Sequence, residues 1–301
     1  MSTTITSITT PALHSARPDF FGTVRGELFK ISRQWTTWIV LVLLTGIIFL
    51  PYLIRLTVSN TKDAINHDAL AFLYGDMSNN LAILRAFAGF ALIILTARVI
   101  GLEYQLGTIR ILLARGVGRL QLLSAKLLTM VIIALAIFVG GILLNLLLTL
   151  FVIGVTTGNL DALSKLTPGF WDDTRLYLLT VLASFGVTIL MTTAVTVLGR
   201  SLSFGLSFGL SWFAADNLGT AIMGLAFEIT HNDFWRNITA YFLGPNLNVM
   251  ASQLLPIHVF TLGTSPLVNV DGTHTLVVTL VYAIIFLAVA IVLTWRRDVK
   301  E

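Results

Sequence analysis

The chain has 301 residues, of which 56% are hydrophobic and only 11% charged, against roughly 25% charged in an ordinary soluble domain. So few charges cannot cover a water-soluble fold of this size, and several apolar stretches reach the roughly 20 residues that cross a bilayer as a helix, so an all-α polytopic membrane protein is expected. The net charge of +4 is read by side of the membrane, with the lipid bilayer and no nucleic acid as partner, and the absence of cysteine excludes disulfides and thiolate sites.

Residues 1–18 are rich in Ser and Thr, lack an apolar segment and read as a flexible cytoplasmic tail. Over 19–35, Phe20, Phe21, Val24, Leu28, Ile31 and Trp35 recur at helical spacing, with Arg25, Glu27, Lys30 and Arg33 between them. That pattern predicts an amphipathic helix lying in the membrane interface. The remainder, 36–301, reads as a six-span transmembrane domain with spans at about 36–54, 82–100, 127–153, 175–198, 203–226 and 275–295. A basic segment, 101–126, joins the second span to the third. A long segment, 227–274, joins the last two and carries apolar faces broken by Gly244-Pro245, Pro256 and Pro266. It is too apolar for a free loop and predicts short outer-face helices that re-enter or cap the outer leaflet, packed on protein.

Thirteen of the nineteen Lys and Arg residues fall on the side of the termini and of 101–126, against five on the other side. The positive-inside rule then places both termini in the cytoplasm. Arg85 and Arg98 lie in the second span with twelve uncharged residues between them, a separation that lets them snorkel to opposite interfaces.

Little in the chain suggests catalysis. The phosphate-loop pattern G-x-x-x-x-G-K-S/T is absent, so any ATP used is hydrolysed by another polypeptide. Gly205-Leu206-Ser207-Phe208-Gly209 formally matches the G-x-S-x-G nucleophile pattern, but no histidine falls securely within a span, so an intramembrane serine protease using Ser207 is a remote alternative. Gly205 and Gly209 read instead as a helix-packing or dimer face. Asp216 and Asn217, further along the same span, are candidates for lining a pathway or for marking the outer interface, and Asn145 for an interhelical hydrogen bond. Asp172-Asp173 and His231-Asn232-Asp233 lack metal-ligand spacing, and no metal site is expected.

Glu103, Gly107-Thr108, Arg115, Arg119 and Lys126 resemble the E-x-x-x-G-T pattern, R-P-V-S-R-like turn and Lys that open the third span of ABC type-2 exporter permeases. Glu27-Leu28-Phe29-Lys30-Ile31-Ser32-Arg33 is similar to the interfacial helix before that family's first span. One departure is Gly116-Val117-Gly118 in place of Pro-Val-Ser. The resemblance implies a coupling helix within 101–126 that docks on a separate ABC ATP-binding subunit through Glu103, Gly107, Thr108, Arg110, Arg115, Arg119 and Lys126. It also implies a second permease copy, as homodimer or heterodimer, and a pathway between the copies lined by the first and fifth spans. ATP and magnesium would belong to the partner subunit, with no cofactor on this chain. The expected protein is therefore a non-enzymatic permease subunit of an ATP-driven exporter in the plasma membrane of a prokaryote. Its cargo is a drug, an antimicrobial peptide or a lipid-like molecule. A membrane scaffold that binds a partner without transport is the alternative.

Overall fold

A computed structural model describes residues 19–58, 60–257 and 259–296. The expected tail 1–18 lies outside the described residues, as do Arg297 and Lys300. The described chain is helical, with no strand among the described residues.

The interfacial segment forms α1 (Phe20–Ser32), started by Asp19, whose carboxylate accepts the Gly22 N–H at 2.9 Å. α1 buries Val24, Glu27 and Ile31, one turn to two turns apart, against α6 (Arg119–Thr157). The chain breaks at Arg33 and Gln34, so α1 is separate from α2 (Trp35–Thr57) rather than an extension of it. A short α3 (Thr61–His67) leads to α4 (Ala69–Gln105), capped by Asp68. The seven-residue α5 (Thr108–Ala114) follows, then α6, a 3₁₀ turn at Asp161–Lys165, and α7 (Pro168–Gly199) with Pro168 in its first turn. α8 (Leu202–Thr230) begins at a Ser201 cap. Two short helices, α9 (Phe234–Ile238) and α10 (Leu243–Leu254), precede α11 (Gly272–Arg296).

Among the described residues, five helices are long and apolar enough to cross a membrane: α2, α4, α6, α7 and α11. α8 has 29 residues, but Ser203, Ser207, Ser211, Asp216, Asn217 and Thr220 dilute its apolar content. α4 has 37 residues and α6 has 39, well beyond the apolar spans expected at 82–100 and 127–153. Hydropathy misses the added turns because they carry polar residues such as Asp76 and Asn80, which the protein buries and hydrogen-bonds.

α4 and α7 form the centre of the bundle. In their most apolar windows 72% of residues are buried, against 22% in α2 and 17% in α11, which lie at the periphery. α11 packs along α7, α2 and α6 pack on α4, and α8 lies against both central helices. Successive long helices alternate in direction. One end of the bundle, here the basic end, gathers α1, α5, the end of α4 and the start of α6. Arg119 Nη1 donates to Trp295 O at 3.5 Å and brings the end of α11 there too. At the far end, Tyr74 donates to Asp173 at 2.8 Å, joining the starts of α4 and α7.

Candidate functional site

At the basic end, α4 stops because Gly107 takes a left-handed conformation (φ 68°), and its carbonyl accepts the Arg110 N–H at 3.2 Å to start α5. Gly107, rather than Thr108, occupies the cap position; Thr108 is the first residue of the helix. α5 buries none of its residues fully, and Leu106, Arg110, Ile111 and Arg115 are exposed beside one another. The turn into α6 depends on Gly116 at φ 86°, with Val117 tucked beneath it and its N–H bonded to Leu112 O at 3.3 Å. Proline, whose φ is fixed near −65°, cannot occupy that conformation, so Gly116-Val117-Gly118 builds a different turn from the one the resemblance implies. Arg110, Arg119 and Arg200 line a small cavity of about 120 Å³ between α5 and the adjoining helix ends.

Beneath α5, four charged side chains meet. Lys30 Nζ on α1 lies 2.8 Å from Glu103 Oε1 on α4 and 3.5 Å from Glu27 Oε1. Lys126 Nζ on α6 lies 3.1 Å from Glu103 Oε2 and 3.2 Å from Glu27 Oε2, and donates an aligned hydrogen bond to Val99 O at 2.7 Å. The two carboxylate oxygens facing Lys126 are buried and make no aligned hydrogen bond, so their contacts with it are ion pairs alone. Glu27, Glu103 and Lys126 are buried, whereas the Lys30 side chain is 40% exposed. The two sequence patterns, one around Glu27 and one around Glu103, are thus halves of a single cluster that binds α1, α4 and α6 together. Glu103 sits in the last turn of α4, where the helix dipole disfavours an anion, and the two ammonium groups compensate for it. Burial draws the Lys30 ammonium pKa down, but its hydrogen bond to Glu103 and the charges of Glu27 and Glu103 outweigh that, so it stands above the ordinary lysine value. Arg33 stays outside the cluster, exposed and stacked over Phe29 at 5.2 Å.

Gly205 and Gly209 are buried on the face of α8 that meets the central helices. A Cβ on Gly209 would stand 2.7 Å from Ile93 Cγ2 of α4, and one on Gly205 would collide with Thr196 of α7. This close approach lies within one chain. Ser207 is on the exposed side of the same helix.

Asp216 and Asn217 reach the segment between α8 and α11. Asp216 Oδ2 accepts the Gly244 N–H at 2.6 Å and the Trp212 indole N–H at 3.0 Å, placing a carboxylate at the start of α10. Asn217 Oδ1 accepts both the N–H and the hydroxyl of Thr264 at 2.8 Å. Arg85 corrects the expectation that it snorkels. It is 5% exposed and turned into the protein, donating through Nη2 to Asn248 Oδ1 of α10 at 3.0 Å and to Leu262 O at 3.3 Å. The polar groups of α10 and the turn after it are close enough to solvate the guanidinium, so it need not extend to an interface. α10 is buried along Leu243–Ala251, packed on protein.

Sequence reasoning overlooked a second cluster, at the far end. Tyr52 donates to Asn145 Oδ1 at 2.9 Å, Asn80 donates to Tyr52 at 2.8 Å and to Asp76 at 2.8 Å, and Thr149 donates to Asp76 at 2.5 Å. Arg55 pairs with Asp76 and lies over the Phe72 ring. Asn145, expected to bond between helices, does so. The available signal was polar residues at helical spacing, Asp76 with Asn80 just ahead of the second apolar run and Asn145 with Thr149 inside the third.

The sequence model of the ABC-2 family transporter proteins matches residues 24–299. The chain is also similar to the uncharacterized protein YhcI of Bacillus subtilis (strain 168), 26% identical over 221 residues. That match covers 71% of this chain and 65% of the relative's length. No solved structure matches.

Proposed function

The chain belongs to the ABC-2 transporter family, and from that membership we infer that it is the permease subunit of an ATP-driven exporter. α5 and its flanking arginines form the dock for an ABC ATP-binding subunit. The observation that carries this reading is the four-charge cluster of Glu27, Lys30, Glu103 and Lys126, directly beneath α5 and shared by three helices. A push on α5 reaches α4 and α6 through covalent continuity at Gly107 and Gly118, and reaches α1 through the ion pairs. Exposed Leu106 and Ile111 supply apolar contact while Arg110 and Arg115 supply rim charge, with Arg119 at the start of α6.

In this reading α8 is the sixth crossing. Its 29 residues span about 43 Å as a helix; Asp216, Asn217 and Thr220 face the protein or the segment that caps it, and Ser203, Ser207 and Ser211 lie on its exposed side. The basic end lies in the cytoplasm by the positive-inside rule, in the plasma membrane of a prokaryotic cell. A second copy, identical or related, faces α2 and α8, and cargo moves between the copies as bundles rock. ATP and magnesium are bound by the partner subunit; this chain contributes pathway and coupling.

The test is the double substitution Arg115→Glu and Arg119→Glu in the full chain, expressed with its cognate ATPase. Copurification and transport-coupled ATP turnover are expected to fall at least tenfold, as like charges replace complementary ones at an interface rim. If both stay at the wild-type level, α5 is not the dock.

A further inference from the structure

One face of α4 carries a feature that coupling leaves unexplained. An open groove of about 600 Å³ lies between α2 and α4, lined by Leu50, Pro51 and Ile54 from the first and Asn79, Ile83 and Phe87 from the second. At 100° per residue, Phe90, Ile94 and Arg98 continue the α4 side of that groove toward the basic end, and all three are half-buried. Phe90 stands between Phe87, with ring centroids 6.1 Å apart, and Phe213 of α8, at 5.1 Å. The face is thus apolar over about three turns, roughly 17 Å from Phe87 to Arg98, and ends in a cation.

Arg98 differs from the other cations drawn into the bundle. Arg55 has Asp76, Lys126 has Glu27 and Glu103, and Arg85 has Asn248 and Leu262 O. The Arg98 side chain makes no ion pair or hydrogen bond among the described residues, and its Nε is buried without a partner. A half-buried guanidinium beside an apolar surface, with its Nε shut off from water and unpaired, gains from an anion at its open end, and phosphate and carboxylate fit its planar fork.

We propose that this face of α4 binds an anionic amphiphile, its phosphate or carboxylate head on Arg98 and its aliphatic tail along Ile94, Phe90, Phe87 and Ile83. The proposal rests on the permease reading, of which it names the cargo class. A polar head without a tail satisfies only Arg98, and a tail without a charged head leaves the guanidinium unpaired.

The experiment uses the full chain in detergent, titrated with lysophosphatidylglycerol, lysophosphatidylcholine of equal chain length and inorganic phosphate, with bound ligand counted by native mass spectrometry. Lysophosphatidylglycerol is expected to bind about tenfold tighter or more, the gain of a charge-assisted hydrogen bond, and phosphate is expected not to displace it. Arg98→Gln should abolish the preference, Arg98→Lys should keep most of it, and Phe90→Ala should weaken both lipids together. Equal affinities in the wild type, an unchanged preference in Arg98→Gln, or displacement by phosphate alone would overturn the site. If Arg98→Gln does not fold, the wild-type comparison and Phe90→Ala decide. Copurification with the ATPase is followed in the same preparations. A lost preference with copurification intact overturns this site and leaves the permease reading standing, whereas an intact preference without copurification upholds the site and removes only its role as a cargo path.

Discussion

Two polar clusters fasten α4 to α6, one at each end of the bundle, and they use opposite chemistry. At the basic end two carboxylates and two ammonium groups draw in α1 as the third helix. At the far end a single ion pair, Arg55 with Asp76, sits within neutral hydrogen bonds from Tyr52, Asn80 and Thr149, and α2 is the third helix. Four full charges respond strongly to any change in the field around them, and Lys30 gives this cluster an opening to water. The far cluster is held by directional bonds between buried groups and responds to geometry instead. The same pair of helices is therefore adjustable at the end that carries α5 and fixed at the other.

The contrast can be broken at either end. Lys126→Met leaves two buried carboxylates facing only Lys30, and we expect a loss of about 3–5 kcal/mol, seen as a lowered unfolding midpoint in detergent. Adding Glu103→Gln to that variant should restore much of the loss, because the charges balance again. Asp76→Asn leaves Arg55 without its anion while keeping the shape of the site. Its expected cost is about 2–3 kcal/mol, with little recovery from changes at the basic end, since the clusters are some 40 Å apart along α4.

Gly209→Leu acts on neither cluster. It overpacks α8 against Ile93, with an expected cost of about 1–3 kcal/mol, and its effect should add to that of Asp76→Asn in the double variant. The smallest effect is that of pH on Lys30. Because its pKa is raised in the folded protein, its contribution is fully present below the unfolded lysine value near 10.4 and is lost as pH rises through the folded value. The side chain is 40% exposed, so the contribution is about 1 kcal/mol or less, and the test is an unfolding midpoint that falls above pH 10 more steeply in the wild type than in Lys30→Met.

The two clusters also differ in how far they could be read beforehand. Glu27 with Lys30 and Glu103 with Lys126 stand in compact patterns beside basic, amphipathic stretches, and composition alone flagged both stretches. Their meeting was hidden, because it requires α1 to lie on α6, a contact that no local spacing encodes. The far cluster draws on Tyr52, Arg55, Asp76, Asn80, Asn145 and Thr149, scattered over three helices and each unremarkable alone. Arg85 misled for a related reason: helical rise placed it near an interface, but only the buried position of α10 supplies the Asn248 partner that turns it inward. The all-helical character, the five apolar spans and the short helices between α8 and α11 were legible because apolar length and prolines are local properties, whereas α8 falls short of the apolar length expected of the sixth span. Helix ends were not, since burial by neighbours lets polar turns remain helical.

α4 has one further consequence. Its 37 residues make a rod of about 55 Å, uninterrupted by proline, in a hydrocarbon layer about 30 Å thick. Such a rod is a lever whose two arms are the two clusters. Tilted by about 5° around its middle, it would carry each end roughly 2 Å, in opposite directions. That stroke is comparable to the ion-pair and hydrogen-bond distances at either end, so a movement begun beneath α5 would be felt at Asp76 as a change of hydrogen-bond register rather than a fading strain.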